Sequence, residues 1–134
     1  MAGSPTTVPN RDKAFREIVV REYQNACAVC EMKFDWQGLI EATAAHIVPK
    51  HKNGTDDPRN GLSLCRTHHW AFDTGVFALS DNYEVLLSPS IQEADSCNFP
   101  LLEMEGKPIL LPSHEVLQPH LDAVEWHREN TWRS

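Results

Sequence analysis

The sequence predicts a single α+β domain with a helix first, short strands in the middle and a helix last. Apolar residues recur at helical spacing between 10 and 24, and two β-prone segments, 41–48 and 61–64, flank a loop rich in turn signals. A stretch dense in histidine, 44–73, includes that loop. With 134 residues the chain can bury one core, but it is small enough that a structural metal would help it fold.

Two regions of different character are expected along the chain. Residues 1–9, MAGSPTTVP, are small, polar and interrupted by proline, which is typical of a disordered leader. Residues 10–134 are predicted to form the single domain, with a core at about 25–88 and a C-terminal extension at 89–134.

The charge of the chain is unevenly distributed. The net charge of −7 argues against a general nucleic-acid-binding protein. Residues 44–72 carry four Lys/Arg against two Asp/Glu, however, whereas residues 73–134 carry three against eleven. The acidity therefore lies in the tail, and the histidine-rich stretch is locally positive through four side chains: Lys50, Lys52, Arg59 and Arg66.

The composition also indicates a compartment. There is neither a signal-peptide pattern nor an apolar run long enough to span a membrane, so we expect a cytoplasmic protein. In that setting the four cysteines are expected to be thiols or metal ligands rather than disulfides.

The first half of the chain predicts a helix and then a strand. Asn10 is placed to cap a helix that runs to about residue 24. Its inward face is predicted to consist of Phe15, Ile18, Val19 and Tyr23. Four further apolar residues are predicted to join the core before the strand at 41–48 begins: Phe34, Trp36, Leu39 and Ile40.

The second half predicts a helix, a hairpin and a final helix. Residues 65–72 have the composition of a short helix that Gly75 would end, and residues 76–80 and 83–87 flank a hairpin turn. Residues 101–111 predict a strand pair or an extended strap, and Pro119 is placed to open the last helix. Cys97 is interpreted as an ordinary thiol. The three histidines of the tail are interpreted as surface or packing residues: His114, His120 and His127.

Two ligand pairs predict a structural metal site. Cys27 and Cys30 are separated by two residues, and so are Cys65 and His68. This spacing lets both members of a pair reach one tetrahedral ion, and thiolate and imidazole ligands favour zinc. Four protein ligands leave no open position, so the ion would be structural. The alternative is that the four residues are unrelated.

Four more residues of the stretch have the chemistry needed to cleave a phosphodiester. Such a reaction needs a base for water, a cation for the developing charge, and a group that orients the base. His46, at a strand end, suits the base, and Asn60 is placed to hydrogen-bond and orient it. His69 and Asp73 are four residues apart, so on a helix they share a face and could hold one divalent ion.

These residues form a pattern that resembles a known family. Residues 45–49 (AHIVP), residues 60–65 (NGLSLC) and the pair His68–His69 are similar to the HNH endonuclease motif of the ββα-metal superfamily. Residues 15–30 resemble the helix and first zinc pair of bacterial HNH proteins, and residues 101–132, with GKPILLP and EWHREN, resemble the tail of HNH restriction endonucleases. The resemblance implies a ββα-metal core with structural zinc, an N-terminal helix and a C-terminal strand and helix extension.

The family implies a role for each matching position. His46 corresponds to the general base, Asn60 to the middle asparagine, and His69 to the last histidine, a metal ligand. Asp73 falls where some members place a further ligand. The sequence departs from the family in two places: Ala45 stands where many members have a ligand, and the second zinc pair is Cys-x-x-His instead of Cys-x-x-Cys.

Some alternatives stay open at this point. His68 and His69 could exchange roles, although His68 keeps the paired spacing with Cys65. Asp73 could brace the end of the helix instead of binding an ion. His51 is expected to be solvated in the loop, with a lesser possibility of a catalytic role near phosphate.

The sequence therefore predicts a metal-dependent HNH endonuclease that hydrolyses DNA, with structural Zn²⁺ and a catalytic ion of the Mg²⁺ or Mn²⁺ class. Restriction of foreign DNA is the role that the tail suggests. The alternatives are a nuclease directed at RNA or acting as a toxin, and a zinc-bearing module that binds nucleic acid without cutting it. Double-strand cleavage by a nuclease with one site calls for two copies, so a homodimer is one expectation. No recognition element is evident, so a further DNA-recognition domain or partner is another.

Overall fold

The computed structural model describes residues 3–93 and 100–134. Its helices and strands are α1 (Gly3–Glu22), β1 (Asp35–Trp36), β2 (Leu39–Ile40), β3 (Thr43–His46), β4 (Gly61–Leu64), α2 (Arg66–Asp73), β5 (Phe77–Leu79), β6 (Val85–Leu87) and α3 (Leu121–Asn130). Among the described residues the strands form three antiparallel pairs, β1 with β2, β3 with β4 and β5 with β6. The predicted α+β class is confirmed.

Helix α1 packs on the pair β3–β4. Phe15, Val19 and Tyr23 recur at helical spacing, and each is at most 2% exposed. In β4, a Cβ atom added to Gly61 would lie 2.4 Å from Val19 Cγ2 and 2.9 Å from Phe15 Cζ. Glycine at this position therefore allows the helix to lie directly against the strand.

Helix α2 follows β4 and divides its residues between two faces. Cys65 is its N-cap, and His68, Ala71 and Phe72 are buried. Asp73 is exposed at the last helical position, and Gly75 has a φ of +82°, a conformation that glycine adopts without strain. The predicted helix, the hairpin β5–β6 and the final helix α3 are all present.

Two predicted extended segments are shorter or less regular than expected. The strand predicted at 41–48 is β3, which ends at His46, because the side chain of Asn60 takes the hydrogen bonds of the Val48 backbone that a neighbouring strand would have made. In the segment 101–111, residues Pro100–Met104 form a 3-10 helix, and Pro108 forms a single bridge with Glu84. Proline lacks the N–H needed to extend such a ladder, so this segment is a strap.

The prediction that residues before β3 join the core was wrong for three of them. Phe34, Trp36 and Leu39 are 59%, 57% and 64% exposed. Trp36 lies opposite Leu39 in the hairpin β1–β2, whose strands have two residues each. Among the described strands, β1 and β2 pair only with each other, and the three apolar side chains stay exposed.

Three predictions concern the ends and gaps of the described chain. Helix α1 begins at Gly3, before the predicted start at Asn10, and the preceding residues lack the apolar spacing that would have indicated this. The division into a leader and a domain stays a prediction. Cys97 lies outside the described residues. No described helix combines the length and hydropathy needed to cross a membrane.

Candidate active site and metal sites

The two predicted ligand pairs meet in one cluster. The ligand atoms of Cys27, Cys30, Cys65 and His68 all lie within 4.8 Å of one another. His68 Nδ1 is 3.7 Å from Cys27 Sγ and 3.2 Å from Cys65 Sγ. Bond lengths of about 2.0 Å to nitrogen and 2.3 Å to sulfur place such atoms about 3.5 Å apart around a tetrahedral zinc ion. The donor types and their spacing therefore fit zinc.

The thiols of this cluster perturb one another. A hydrogen bond from Cys30 lowers the pKa of Cys27, whereas the same hydrogen bond and burial raise the pKa of Cys30. Burial also raises the pKa of Cys65. Crowded, partly buried thiols lose their protons together only when a cation balances the charge, which is what a bound metal supplies.

A second group of side chains surrounds a cavity of about 360 Å³ beside this cluster. Its wall includes His46 from the end of β3 and both His69 and Asp73 from α2. His51, from the loop after β3, also lines the cavity and is exposed. Thus three of the predicted catalytic or ligand residues face one space, and Asn60 does not.

A hydrogen bond to Thr43 orients the ring of His69. The Thr43 hydroxyl oxygen lies 3.1 Å from the Leu64 carbonyl oxygen and 2.7 Å from His69 Nδ1. On the other side of the ring, His69 Nε2 lies 3.2 Å from Asp73 Oδ2. Imidazole nitrogen together with carboxylate oxygen is a donor pair that suits a divalent ion.

His46 is fixed by a stacked ring and a carboxylate. The Phe15 ring lies 4.1 Å from it, centroid to centroid, at an interplanar angle of 12°. His46 Nε2 is 3.0 Å from Asp56 Oδ1, and Lys50 Nζ donates to Asp56 Oδ2 at 2.8 Å. The hydrogen bonds from Lys50 and His46 lower the pKa of Asp56. An ionised Asp56 accepts the proton of Nε2, which leaves Nδ1 as the basic nitrogen of the neutral ring.

Asn60 does not make the predicted hydrogen bond to His46. Its Oδ1 accepts from the Val48 backbone N–H at 2.9 Å, and its Nδ2 donates to the carbonyls of Val48 and Thr55 at 3.1 and 3.0 Å. Asn60 therefore joins the two ends of the loop that carries Asp56. These bonds satisfy the buried amide, as nearby backbone groups commonly do.

These observations agree with one family comparison. Residues 27–80, which include the cysteine and histidine cluster and the cavity residues from β3 and α2, match the family described as HNH endonuclease. Residues 27–80 of the chain therefore resemble an HNH endonuclease domain.

One solved structure supports the same fold. The chain is similar to a protein described as "Modification dependent TagI restriction endonuclease", with a TM-score of 0.61 and 23% sequence identity. The similarity covers 87% of this chain but 36% of that one, so the chain spans about a third of the length of that endonuclease. None of the curated proteins compared with the chain matches it.

Sequence reasoning missed three residues that position the candidate catalytic side chains. Asp56 bonds His46, Lys50 bonds Asp56, and Thr43 bonds His69. Asp56 belongs to a polar loop in which any carboxylate is explained equally well by turn formation. Thr43 could have been noticed because it precedes His46 by three residues in a strand, but nothing in the sequence pairs it with α2.

Asp12 adds a second acidic group near the base. Its carboxylate, His46 and Asp56 have ligand atoms within 4.8 Å of one another. Each carboxylate already faces a cation, Arg16 for Asp12 at 3.3 Å and Lys50 for Asp56 at 2.8 Å. The pair His69–Asp73 has no such cation among the described ion pairs.

His127 contributes to the wall of the cavity as a packing residue. It stacks on Phe72 with centroids 3.7 Å apart, and its Nε2 lies 2.9 Å from the Phe72 carbonyl oxygen, which can only accept a proton. Burial lowers the pKa of His127 to about 4. The ring is therefore neutral at pH 7, in agreement with the prediction that the tail histidines pack or lie at the surface.

Proposed function

We propose that this chain hydrolyses phosphodiester bonds of DNA in a reaction that depends on a divalent metal ion. The observation that supports this most directly is that His46, His69 and Asp73 line one cavity within the region that matches the HNH endonuclease family. The choice of DNA as the substrate depends on the resemblance to restriction endonucleases.

His46 is the proposed general base. With its Nε2 proton held by Asp56, the Nδ1 lone pair can take a proton from water. Phe15 restrains the ring in the plane, and Lys50 keeps Asp56 ionised. Asn60 positions the loop of Asp56 and has no contact with the reacting atoms in this proposal.

His69 and Asp73 are the proposed ligands of the catalytic ion. When bound there, an ion of the Mg²⁺ or Mn²⁺ class stabilises negative charge on the phosphate and on the departing 3′ oxygen. Thr43 orients His69 so that Nε2 offers its lone pair to the ion. The chain supplies two ligands at this position, so water and substrate oxygens would complete the coordination.

The cluster of Cys27, Cys30, Cys65 and His68 is the proposed site of structural Zn²⁺. It joins the segment after α1 to the first turn of α2. His69 directly follows the ligand His68, so the zinc would hold the catalytic helix in place without taking part in the reaction.

Restriction or defence against foreign DNA, in the cytoplasm, is the proposed biological setting. The similar solved structure is described as a modification-dependent restriction endonuclease, and the chain spans only part of its length. Recognition of sequence or modification would then reside in a further domain, a partner chain or a second copy. A homodimer is proposed for double-strand cleavage, since each site acts on one strand.

A plasmid-cleavage assay tests this function. The purified chain, with its zinc, is expected to nick or cut supercoiled DNA only after Mg²⁺ or Mn²⁺ is added. The variant His46→Ala is expected to lose this activity while it retains zinc. His120→Asn is the matched control, because His120 caps α3 outside the cavity and asparagine caps a helix equally well.

The same assay separates the alternative functions. An RNA-directed or toxin-type nuclease would cleave RNA in preference to duplex and single-stranded DNA, with the same loss in His46→Ala. A binding module without catalysis would leave every substrate intact and would bind nucleic acid equally well with or without His46.

A further inference from the structure

A second cavity, of about 940 Å³, lies between α1 and the segment β2–β3. On the sheet side it is lined by Ile40, Ala42 and Thr43. It shares Ala44 and His69 with the catalytic cavity. The two spaces therefore meet at a proposed ligand of the catalytic ion, and we call the larger one the α1 groove.

The helical wall of the α1 groove is positively charged. It presents Lys13, Arg16 and Arg21 with one carboxylate, Glu17, so four charged side chains sum to +2 in a chain whose net charge is −7. Arg16 pairs with Asp12 at 3.3 Å across an exposed contact. Neither Lys13 nor Arg21 belongs to an ion pair among the described residues.

The positive patch expected around the histidine-rich loop is, by contrast, partly neutralised. Lys50 pairs with Asp56 and Arg59 with Asp57, both at 2.8 Å. Arg66 lies 3.9 Å from Glu41. Lys52 takes no part in the ion pairs of the described residues, so unpaired cations lie on both surfaces: two in the α1 groove, Lys13 and Arg21, and one on the loop.

From this geometry we infer that the α1 groove holds the sugar-phosphate backbone of the DNA strand that enters the catalytic cavity. The inference rests on the proposed function. Lys13 and Arg21 are eight positions apart, which is about 12 Å along a helix. A DNA strand carries one phosphate per about 3.4 Å of duplex axis, so this wall spans three to four phosphates. The apolar floor of Val20, Ile40 and Ala42 suits the sugars between them.

The salt dependence of DNA binding tests the groove. Binding of a short fluorescein-labelled duplex is measured by anisotropy over a range of KCl, with the zinc-bearing chain and no added divalent ion. Each of Lys13→Gln and Arg21→Gln is expected to make the slope of log K against log[salt] less steep by about 0.9, and the double variant by about 1.8. Glutamine is a good helix former at these exposed positions, and circular dichroism checks that α1 persists.

Lys107→Gln is the charge-matched control. Lys107 is exposed in the strap and has no part in the ion pairs of the described residues, so its replacement is expected to leave the slope unchanged. Three outcomes would each contradict the proposal that the α1 groove binds DNA: unchanged slopes in both α1 variants, an equal effect of Lys107→Gln, or no binding at low salt.

Plasmid cleavage by the wild-type chain keeps the two proposals separate. If the wild-type chain cleaves DNA and the slopes of the Lys13 and Arg21 variants are unchanged, the α1 groove proposal is contradicted and the nuclease function stands. Reduced slopes without any cleavage support the groove as a binding surface and overturn the catalytic function.

Discussion

His46 and His69 each have one ring nitrogen tied to an oxygen of the fold, and this determines what the other nitrogen can do. Asp56 bonds Nε2 of His46, whereas the Thr43 hydroxyl bonds Nδ1 of His69. The two rings therefore leave opposite nitrogens for the roles proposed above, a base at His46 and a metal ligand at His69. Rings held in this way are oriented before any substrate arrives.

Replacing Asp56 with asparagine tests the first of these arrangements. The amide can donate to Nε2 and so favour the tautomer in which Nδ1 carries the proton and cannot act as a base. The value of kcat is expected to fall roughly ten- to a hundredfold, the lower part of the range for general base catalysis, with little change in KM.

Two further variants distinguish positioning from a merely structural effect. Asp56→Glu keeps a carboxylate and should recover part of the rate, whereas Asp81→Asn makes the same chemical change at a remote ion pair with Arg128 and should have no effect. An unchanged kcat in Asp56→Asn would show that Asp56 does not set the tautomer of His46.

At the scale of secondary-structure elements, the contact between α1 and β4 positions His46. His46 pairs with Gly61 in the β3–β4 ladder, and Phe15 lies against both. A residue with a Cβ atom at position 61 would push α1 away and move Phe15 off the His46 ring. The fold of this contact and the orientation of the base are therefore linked.

Gly61→Ala is expected to lower the free energy of unfolding by about 1–3 kcal/mol, the range typical of overpacking, and to reduce cleavage as well. Denaturant unfolding gives the first quantity and the plasmid assay the second. The added methyl group would lie nearest to Val19 Cγ2, at 2.4 Å.

Val19→Ala, which removes that atom, is the partner variant for a double-mutant cycle. The two substitutions together should cost less stability than the sum of the two alone. Strict additivity would mean that the helix does not rest on Gly61.

Local patterns predicted the elements whose signals lie within a few residues. The spacing of Phe15, Val19 and Tyr23 gave α1, and the i, i+4 spacing of His69 and Asp73 placed both on the cavity side of α2. The exposure of the hairpin β1–β2 could not be predicted in this way. Apolar side chains indicate a tendency to be buried, but the layer that would cover them is decided by the whole fold.

The partners of Asn60 and Asp56 were unpredictable for a related reason. Hydrogen bonds from a loop depend on where its two ends meet, and here Asn60 brings Val48 and Thr55 together. The sequence indicated that Asn60 matters to the base, but the contact runs through backbone groups that every residue has. The cluster of Cys27, Cys30, Cys65 and His68 was easier to predict, because its members occur as two pairs, each separated by two residues.

At the scale of the whole molecule, the cluster of Cys27, Cys30, Cys65 and His68 joins the segment after α1 to the first turn of α2. The segment of Cys27 is also joined to β4, since Ser63 Oγ donates to the Ala26 carbonyl and the Ala28 N–H donates to the Ser63 carbonyl, both at 2.8 Å. These bonds fix the backbone on one side of the cluster. The first turn of α2, by contrast, depends on Cys65 and His68 themselves.

Removal of zinc should therefore destabilise the domain and misplace His69 before any step of the reaction. A strong chelator, or the variant Cys65→Ser, is expected to lower Tm by at least about 10 °C, since a structural zinc site contributes several kcal/mol or more to a domain of this size. Metal analysis should find one zinc per chain in the wild type, as four ligands around one position require. His68→Cys keeps four suitable ligands, so it should retain zinc and most of the stability. A chelated chain with unchanged Tm and intact α2 would show that the packing of Ala71 and Phe72 alone holds the catalytic helix.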